Sequence, residues 1–389
     1  MLDVPLRRCC NQRDGTPTLI TRRTFLLASP LNAATRSFHS GLRSYFRSGV
    51  QRNGIVGASL LLNHEGETIF EEQVGQQNLE KHQPVTPHSI FHWASVTKTL
   101  TSVAIMQLRD QGSLRLDDPV LRHCPEITMV RNPFGPVLRI TLRHLLSHSA
   151  GFRPATWPWD NRPWVPSAPG AWGQLVATFP ETEVYFTPGS RFSYSNFGIL
   201  FLGRTIERVS GLSFARYIAK YIFEPLGMKA SYFDKTPPEL LPHRCQSYYR
   251  DRNRLLAGSF DYETGVTMSN SGLNASLTDM SRYLSSLAGR GPSLLRRSSL
   301  EEMWRPILPA EDGESMGLSF FITKRAGVTM ANHRGDQNAF ISRVGIVPAS
   351  RSAYAVAYNT SATGSGQNTG TFDKQLKDYL IDQVYTRLT

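Results

Sequence analysis

A hydroxyl, an amine, a phenol and an amide recur along this chain at spacings that suit acyl transfer. Phe91-His-Trp-Ala-Ser95-Val-Thr-Lys98 runs directly into a stretch in which Leu100, Val103, Ala104 and Leu108 share one face, so Ser95 and Lys98 open a helix. Positions i and i+3 are neighbours on a helix, which brings the lysine stem beside the hydroxyl. The helix N-terminus and burial both disfavour an ammonium, and a neutral amine takes a serine proton. Moving a lysine from its ordinary pKa to near neutrality requires about 4 to 5 kcal/mol of differential stabilisation, which burial supplies only in a dry site. Taken alone, Ser-x-x-Lys equally describes an N-capping serine followed by a solvated lysine.

Two further stretches supply company. Phe186-Thr-Pro-Gly189 leads into Ser193-Tyr194-Ser195-Asn196 and then a helix, placing a phenol and a carboxamide at a loop-to-helix corner. Tyr194 can share a proton with Ser95 and the leaving group, and Asn196 can hold Lys98 and a substrate amide at once. Near the end, His333-Arg334-Gly335-Asp336 closes a strand-like run, and Gly335 would let a substrate lie against the backbone. The amides of Asp336 and Ser95 together make an oxyanion hole, worth about 3 kcal/mol per donor. The plainer alternative for that stretch is an ordinary hairpin turn.

In this order the three sites resemble the serine β-lactamase and D,D-peptidase family, especially its class C and esterase branch, whose pattern is Ser-x-x-Lys, Tyr-x-Asn and Lys/His-x-Gly. Gly112-Ser-Leu-Arg-Leu-Asp-Asp-Pro119, Leu145-Leu-Ser-His-Ser-Ala-Gly151, Tyr194-Ser-Asn-Phe-Gly198 and Phe223-Glu-Pro-Leu-Gly-Met228 are similar to that family too, so the likeness covers roughly residues 38 to 389. The resemblance implies Ser95 as nucleophile, Lys98 as its base, Tyr194 as proton carrier, and Asn196, His333, Gly335 and Asp336 as substrate-binding positions. It implies no cofactor and no metal. His333 stands where class C β-lactamases usually have Lys, and Asn338-Ala339 replaces the usual Pro-Gly. Weak or absent β-lactam hydrolysis is therefore expected, with an esterase or D,D-peptidase-like activity on a small ester, amide or short peptide. Acyl transfer to a second alcohol and a non-catalytic binding or scaffold role use the same fold, although a retired catalyst would be free to lose Lys98 or Tyr194.

The elements that must position these groups are legible as periodicity. Leu42, Tyr45, Phe46 and Val50 recur at helical spacing, and Val56 to Leu62 and Thr68 to Val74 then make a hairpin about His64-Glu65-Gly66. Leu318 to Thr323, Val328 to Ala331, Phe340 to Val347 and Ala353 to Tyr358 read as strands, with Phe372, Leu376, Leu380 and Val384 on a closing helix. Thr99 to Gln111, Gly198 to Val209 and Phe214 to Leu226 read as helices. The expected fold is α/β of the α+β kind: an antiparallel sheet from both ends of the chain flanked by helices (37 to 92 and 314 to 389), with an inserted, mainly helical lobe (93 to 313). A cleft between them would take the substrate.

The chain has 389 residues, 40% of them apolar, enough for a sizeable core, and no apolar run long enough to cross a bilayer as a helix. Its net charge of +12 includes no basic run, and no zinc-finger spacing accompanies it, so nucleic acid is not an expected partner. Residues 1 to 36 carry six Arg against two acids. Thr21-Arg22-Arg23-Thr24-Phe25-Leu26 resembles a twin-arginine export signal, which implies a periplasmic or secreted protein. An Arg- and Ser-rich stretch without acids from Gly15 to His64 also fits a mitochondrial presequence, or an untargeted tail.

Three rivals remain open at this level. Gly313-Glu-Ser315-Met-Gly317 matches a nucleophile-elbow pattern, but between a polar turn and a strand. His144 and His148, at i and i+4, have metal-ligand spacing without a third ligand, and structural hydrogen bonds are the blander reading. Trp157, Trp159, Trp164 and Trp172 lie in or near a Pro-rich loop that either walls the cleft or packs as a rigid insertion. Cys124 and Cys245 can pair only if their Cα atoms come within about 7 Å.

Overall fold

Gly57–His64 (β1) reads GASLLLNH and lacks the polar alternation of a half-solvated strand. The computed structural model accounts for this by covering both faces of β1. The structure describes residues 30–136, 139–154, 156, 171–251, 254–258, 263–363 and 366–389. The arginine pair of the N-terminal stretch and the Trp157 to Trp164 loop lie outside them. Residues 43–389 form one compact unit.

The main sheet has nine strands: β1, β2 (Glu67–Asn78), β3 (Gln83–Pro84), β4 (Leu308–Pro309), β5 (Ser315–Met316), β6 (Phe321–Arg325), β7 (Val328–Gln337), β8 (Phe340–Val347) and β9 (Ser352–Tyr358). Their spatial order is β3-β2-β1-β9-β8-β7-β6-β5-β4, and every neighbouring pair is antiparallel. Strand β1 pairs with β9, Ala58 opposite Tyr358, so the sheet is built from both ends of the chain as the sequence predicts. Helix α1 (Pro30–Arg52) contributes Phe46, whose ring lies 6.4 Å from Tyr358 on β9. Arg43 and Arg47 of α1 both bind the buried Glu72 carboxylate of β2.

Between the two sets of strands lies the helical middle: α2 (Thr97–Asp110), α3 (Asn196–Ser210) and α4 (Leu277–Leu287), with α5 (Thr369–Gln383) closing the chain. The opposite face of the sheet from α1 is held by α4, where Asn63 of β1 donates to Ser281 and Ser285. The periodicity of Phe214 to Leu226 predicts one helix, but the structure interrupts it with a π turn at Ala219–Phe223. The physical reason is Pro225, which has no N–H for the carbonyl of Tyr221. Gln107 Nε2 donates to that carbonyl instead, at 3.2 Å.

Ser95 is delivered by a short strand, Ile90–His92, which pairs with Leu273–Ser276. Trp93 is then pinned twice, its amide donating to Leu273 O at 2.8 Å and its indole N–H to Ala275 O at 2.9 Å. Ala94 follows with φ of 47°, a left-handed conformation that costs a non-glycine residue about 1 to 2 kcal/mol. The chain passes through a 3-10 turn, Ala94–Val96, before α2 begins. Ser95 therefore stands on a tight corner ahead of the helix, where the sequence reading opens the helix with it.

Gly335 corrects a second expectation. A Cβ there would lie 2.2 Å from the Trp93 carbonyl oxygen and 2.4 Å from Ser342 Oγ, which itself donates to Trp93 O. The missing side chain makes room for the protein's own backbone, the one that carries Ser95, and not for a substrate. Gly335→Ala is accordingly expected to destabilise the fold by about 3 kcal/mol or more, because backbone yields less readily than a side-chain tip. Urea unfolding of the variant beside wild type, with the activity of the folded fraction, checks this; unchanged stability would remove the argument.

Candidate active site

Lys98 has 0% exposure, and its Nζ lies 2.9 Å from Ser95 Oγ. It also donates to the carbonyl of Asn270 at 2.9 Å. Both neighbours are uncharged, so nothing compensates an ammonium, and burial holds the Lys98 pKa well below its ordinary value. The amine and hydroxyl meet as the spacing predicts. The Asn270 contact was not legible, since a backbone carbonyl leaves no mark in a motif.

Tyr194 precedes α3, whose N-cap Ser195 accepts from Gly198 N. Its ring centre lies 5.1 Å from Lys98 Nζ. Burial raises the phenol's pKa above its usual value, more than the hydrogen bond with Ser95 lowers it. Tyr194 is therefore a neutral phenol at working pH. Asn196 lines the same cleft, but its buried Oδ1 has no partner among the described residues, and Lys98 is held by Asn270 where the sequence reading assigns Asn196.

His333, at 1% exposure, is held neutral with its pKa lowered to about 3 by burial first and the nearby Lys98 second. Its Nδ1 lies 2.8 Å from Arg334 O, which fixes the proton there and leaves Nε2 as an acceptor without a partner among the described residues. The pairing of β6 with β7 ends at Phe321 opposite Asn332, so residues 333–337 have no strand on that side. The other edge closes on β8 through the turn Asn338-Ala339, with φ of 50° and 64°, a two-residue hairpin. In such a hairpin the closing pair Gln337–Phe340 is hydrogen-bonded, and Asp336, opposite Ile341, turns its N–H toward the open edge. Asp336 and Ser95 line one cleft of about 390 Å³.

The cations along that cleft all have internal partners among the described residues. Arg334 pairs with Asp336 at 2.9 Å, Arg343 with Asp373 at 2.7 Å and Lys374 with Asp312 at 2.8 Å. Its apolar wall is Phe321, stacked on Tyr194 at 6.4 Å and edge-on to His333 at 5.6 Å.

The rivals fall elsewhere. Ser315 lies in β5 with strands on both sides, which is no elbow. His144 closes a capping box with Thr141, and the chain turns away before His148, whose φ is 50°. Among the described residues no three His, Cys, Asp or Glu side chains are grouped to hold a metal. Trp172 packs edge-on to Phe179 and Phe201 and not on the cleft. Cys124 and Cys245 are both free and buried.

His148 is the site residue that sequence reasoning missed, since it lies far from Tyr194 in the chain. Its ring stacks on Tyr194 at 4.4 Å, and its Nδ1 accepts from Ser195 N at 3.1 Å.

Comparison with known proteins bears on this geometry. The family model described as Beta-lactamase matches residues 42–376. Protein flp of Staphylococcus aureus (strain MW2) is 30% identical over 187 residues, 48% of this chain and 36% of that protein. The chain thus spans about a third of the length of that curated relative. The octameric penicillin-binding protein homologue from Pyrococcus abyssi has a TM-score of 0.74 at 27% identity, over 88% of this chain and 76% of that one. The D-amino acid amidase from Ochrobactrum anthropi SV3 has a TM-score of 0.73 at 20% identity, over 91% and 100%, a likeness of fold. With the family match running from α1 into α5 and through every motif of the cleft, the chain belongs to the beta-lactamase family.

Proposed function

We propose that this chain is a serine hydrolase in which an ester or amide carbonyl acylates Ser95, with esterase or D,D-peptidase-like activity and little or no turnover of β-lactams. The observation that carries this is the 2.9 Å contact between Ser95 Oγ and the wholly buried Lys98 amine. A neutral amine there takes the hydroxyl proton as the oxygen attacks, whereas Tyr194, with its raised pKa, is too weakly acidic to serve as a resting tyrosinate. Tyr194 instead passes its proton to the leaving group and takes one back from the Lys98 ammonium, which returns the pair to amine and phenol. The N–H groups of Ser95 and Asp336 receive the developing oxyanion. Asn196 Oδ1, without a hydrogen-bond partner among the described residues, accepts from a substrate amide.

Little β-lactamase activity follows from charge. The third-motif position holds a neutral imidazole, and the cleft's cations are bound to acids of the chain, so a drug's carboxylate meets no fixed free cation. Neutral esters and amides do not need one.

Ser95→Ala and Lys98→Ala are each expected to abolish covalent labelling by a fluorophosphonate, seen as an intact-mass shift in wild type, and to lower kcat/KM by about 10² to 10⁴. A label retained by folded Ser95→Ala would place the nucleophile elsewhere.

The acylation rate is expected to rise with pH through the lowered Lys98 pKa and to stay level up to the ordinary lysine range. No limb owed to a histidine is expected, because burial holds both His148 and His333 neutral. A pH–rate profile with a histidine-like limb that His333→Asn removes would contradict this.

Stability carries the same signature. Between the folded and unfolded pKa values of Lys98 the unfolded chain binds the extra proton, so wild-type stability rises with pH there. The stability of Lys98→Met relative to wild type is therefore expected to decline by about 1.4 kcal/mol per pH unit as pH climbs toward the ordinary lysine value. Denaturant unfolding across pH checks the slope; a flat difference would mean that Lys98 is not depressed.

A further inference from the structure

Tyr194 is bracketed by one residue. The backbone carbonyl of His148 accepts from Ser193 N at 2.8 Å, and the His148 ring Nδ1 accepts from Ser195 N at 3.1 Å. The residue between those two amides is Tyr194, and the same imidazole lies against its ring at 4.4 Å and 25°. Carbonyl and ring can converge on one tripeptide because His148 adopts φ of 50°, a left-handed conformation that a non-glycine residue occupies only when its surroundings hold it there. His148 is 2% exposed and Ser195 4%, so the ring–amide bond is made out of water, where losing it would strand a buried donor.

We propose that His148 is a positioning residue that fixes the Tyr194 phenol against Ser95. The inference rests on the reading of Ser95 and Tyr194 as the acyl-transfer centre. An acceptor role for Nδ1 requires the neutral ring with its proton on Nε2, since an imidazolium would set one N–H against the N–H of Ser195. Lys98 and His333 face the same ring, and a proton on either would act against a charge on it. The Phe321 ring also lies near-parallel to that of Tyr194, its centre 6.4 Å away, while the two amide bonds fix where the tyrosine Cα sits. A tyrosine's second side-chain torsion is broad, and this arrangement narrows it.

The role separates from mere support through the leaving group. A p-nitrophenolate leaves without protonation, whereas an anilide nitrogen must receive a proton, the step assigned to Tyr194. The experiment measures kcat/KM for p-nitrophenyl acetate and for D-alanine p-nitroanilide. His148→Phe keeps a stacked ring and removes the acceptor; His148→Asn keeps an amide oxygen near the Nδ1 position and removes the stack. Each is expected to lower the anilide value by about 10- to 100-fold and the ester value by less than about 3-fold. Added to Tyr194→Phe, either is expected to cost less than about 2-fold more on the anilide, because residues acting through one group are not additive. Equal losses on both substrates, losses that multiply in the double variant, or an unchanged anilide rate in a folded variant would overturn the proposal. His148→Asn serves where His148→Phe fails to fold. An anilide rate unaffected by Tyr194→Phe alone would overturn the proton path itself, and the role of His148 with it.

Discussion

Lys98 Nζ has no surface in contact with solvent, and its two close oxygens, from Ser95 and Asn270, carry no charge. An isolated ammonium in such a place is far costlier than a neutral amine, and this constraint orders the structure around it. Burial of α2 along its first ten residues keeps the amine dry. The Asn270 carbonyl gives the amine a partner that does not restore its charge. His148 and His333, the two imidazoles nearest it, are themselves too deeply buried to become cations. A set of basic groups packed this closely is tolerable only if they share the neutral state.

The acids and bases of the outer cleft follow the opposite logic. There the charges persist, but each is answered locally: Arg343 by Asp373 and Asn332, Lys377 by Glu314. These pairs join α5 to β7, β8 and the segment before β5, and removing one partner would leave the other buried without compensation. The cleft thus has a dry, uncharged floor at Ser95 and a saturated electrostatic rim. Substrates gain little from bringing their own charge to such a rim.

What the sequence makes legible is whatever is local. Ser95 and Lys98 meet because three residues of helix-like turn bring them together, and β1, β8 and β9 announce themselves as apolar runs because they are covered on both faces. The π turn was hidden because a proline's effect depends on where the freed carbonyl of Tyr221 finds a donor, and Gln107 lies far away in the chain. Gly335 reads as a glycine in a strand, but what occupies the space beside it, the Trp93 carbonyl, is a fact of packing. His148 sits within a stretch whose family likeness is plain, yet its grip on Ser193 and Ser195 needs two loops placed side by side. Asn196 was matched to Lys98 on the strength of its donor and acceptor groups, and the backbone carbonyl of Asn270 takes that position.

The pairing of β1 with β9 bears on how the molecule comes into being. Ala58 waits for Tyr358, and Trp93, already carrying Ser95 behind it, waits for Gly335 and Ser342. Contacts so distant in sequence are slow to form, and as a chain emerges from the ribosome α2 and α3, which pack on each other, are both present well before the last strands of the sheet. The Ser95 hydroxyl and the Lys98 amine can therefore be neighbours on a nascent helix while the strand that supplies Asp336 and His333 is still being synthesised. An unfinished chain has that pair without the wall that Asp336 and His333 provide, so on the proposed acyl-transfer chemistry the order of assembly withholds reactivity until the last strands are in place.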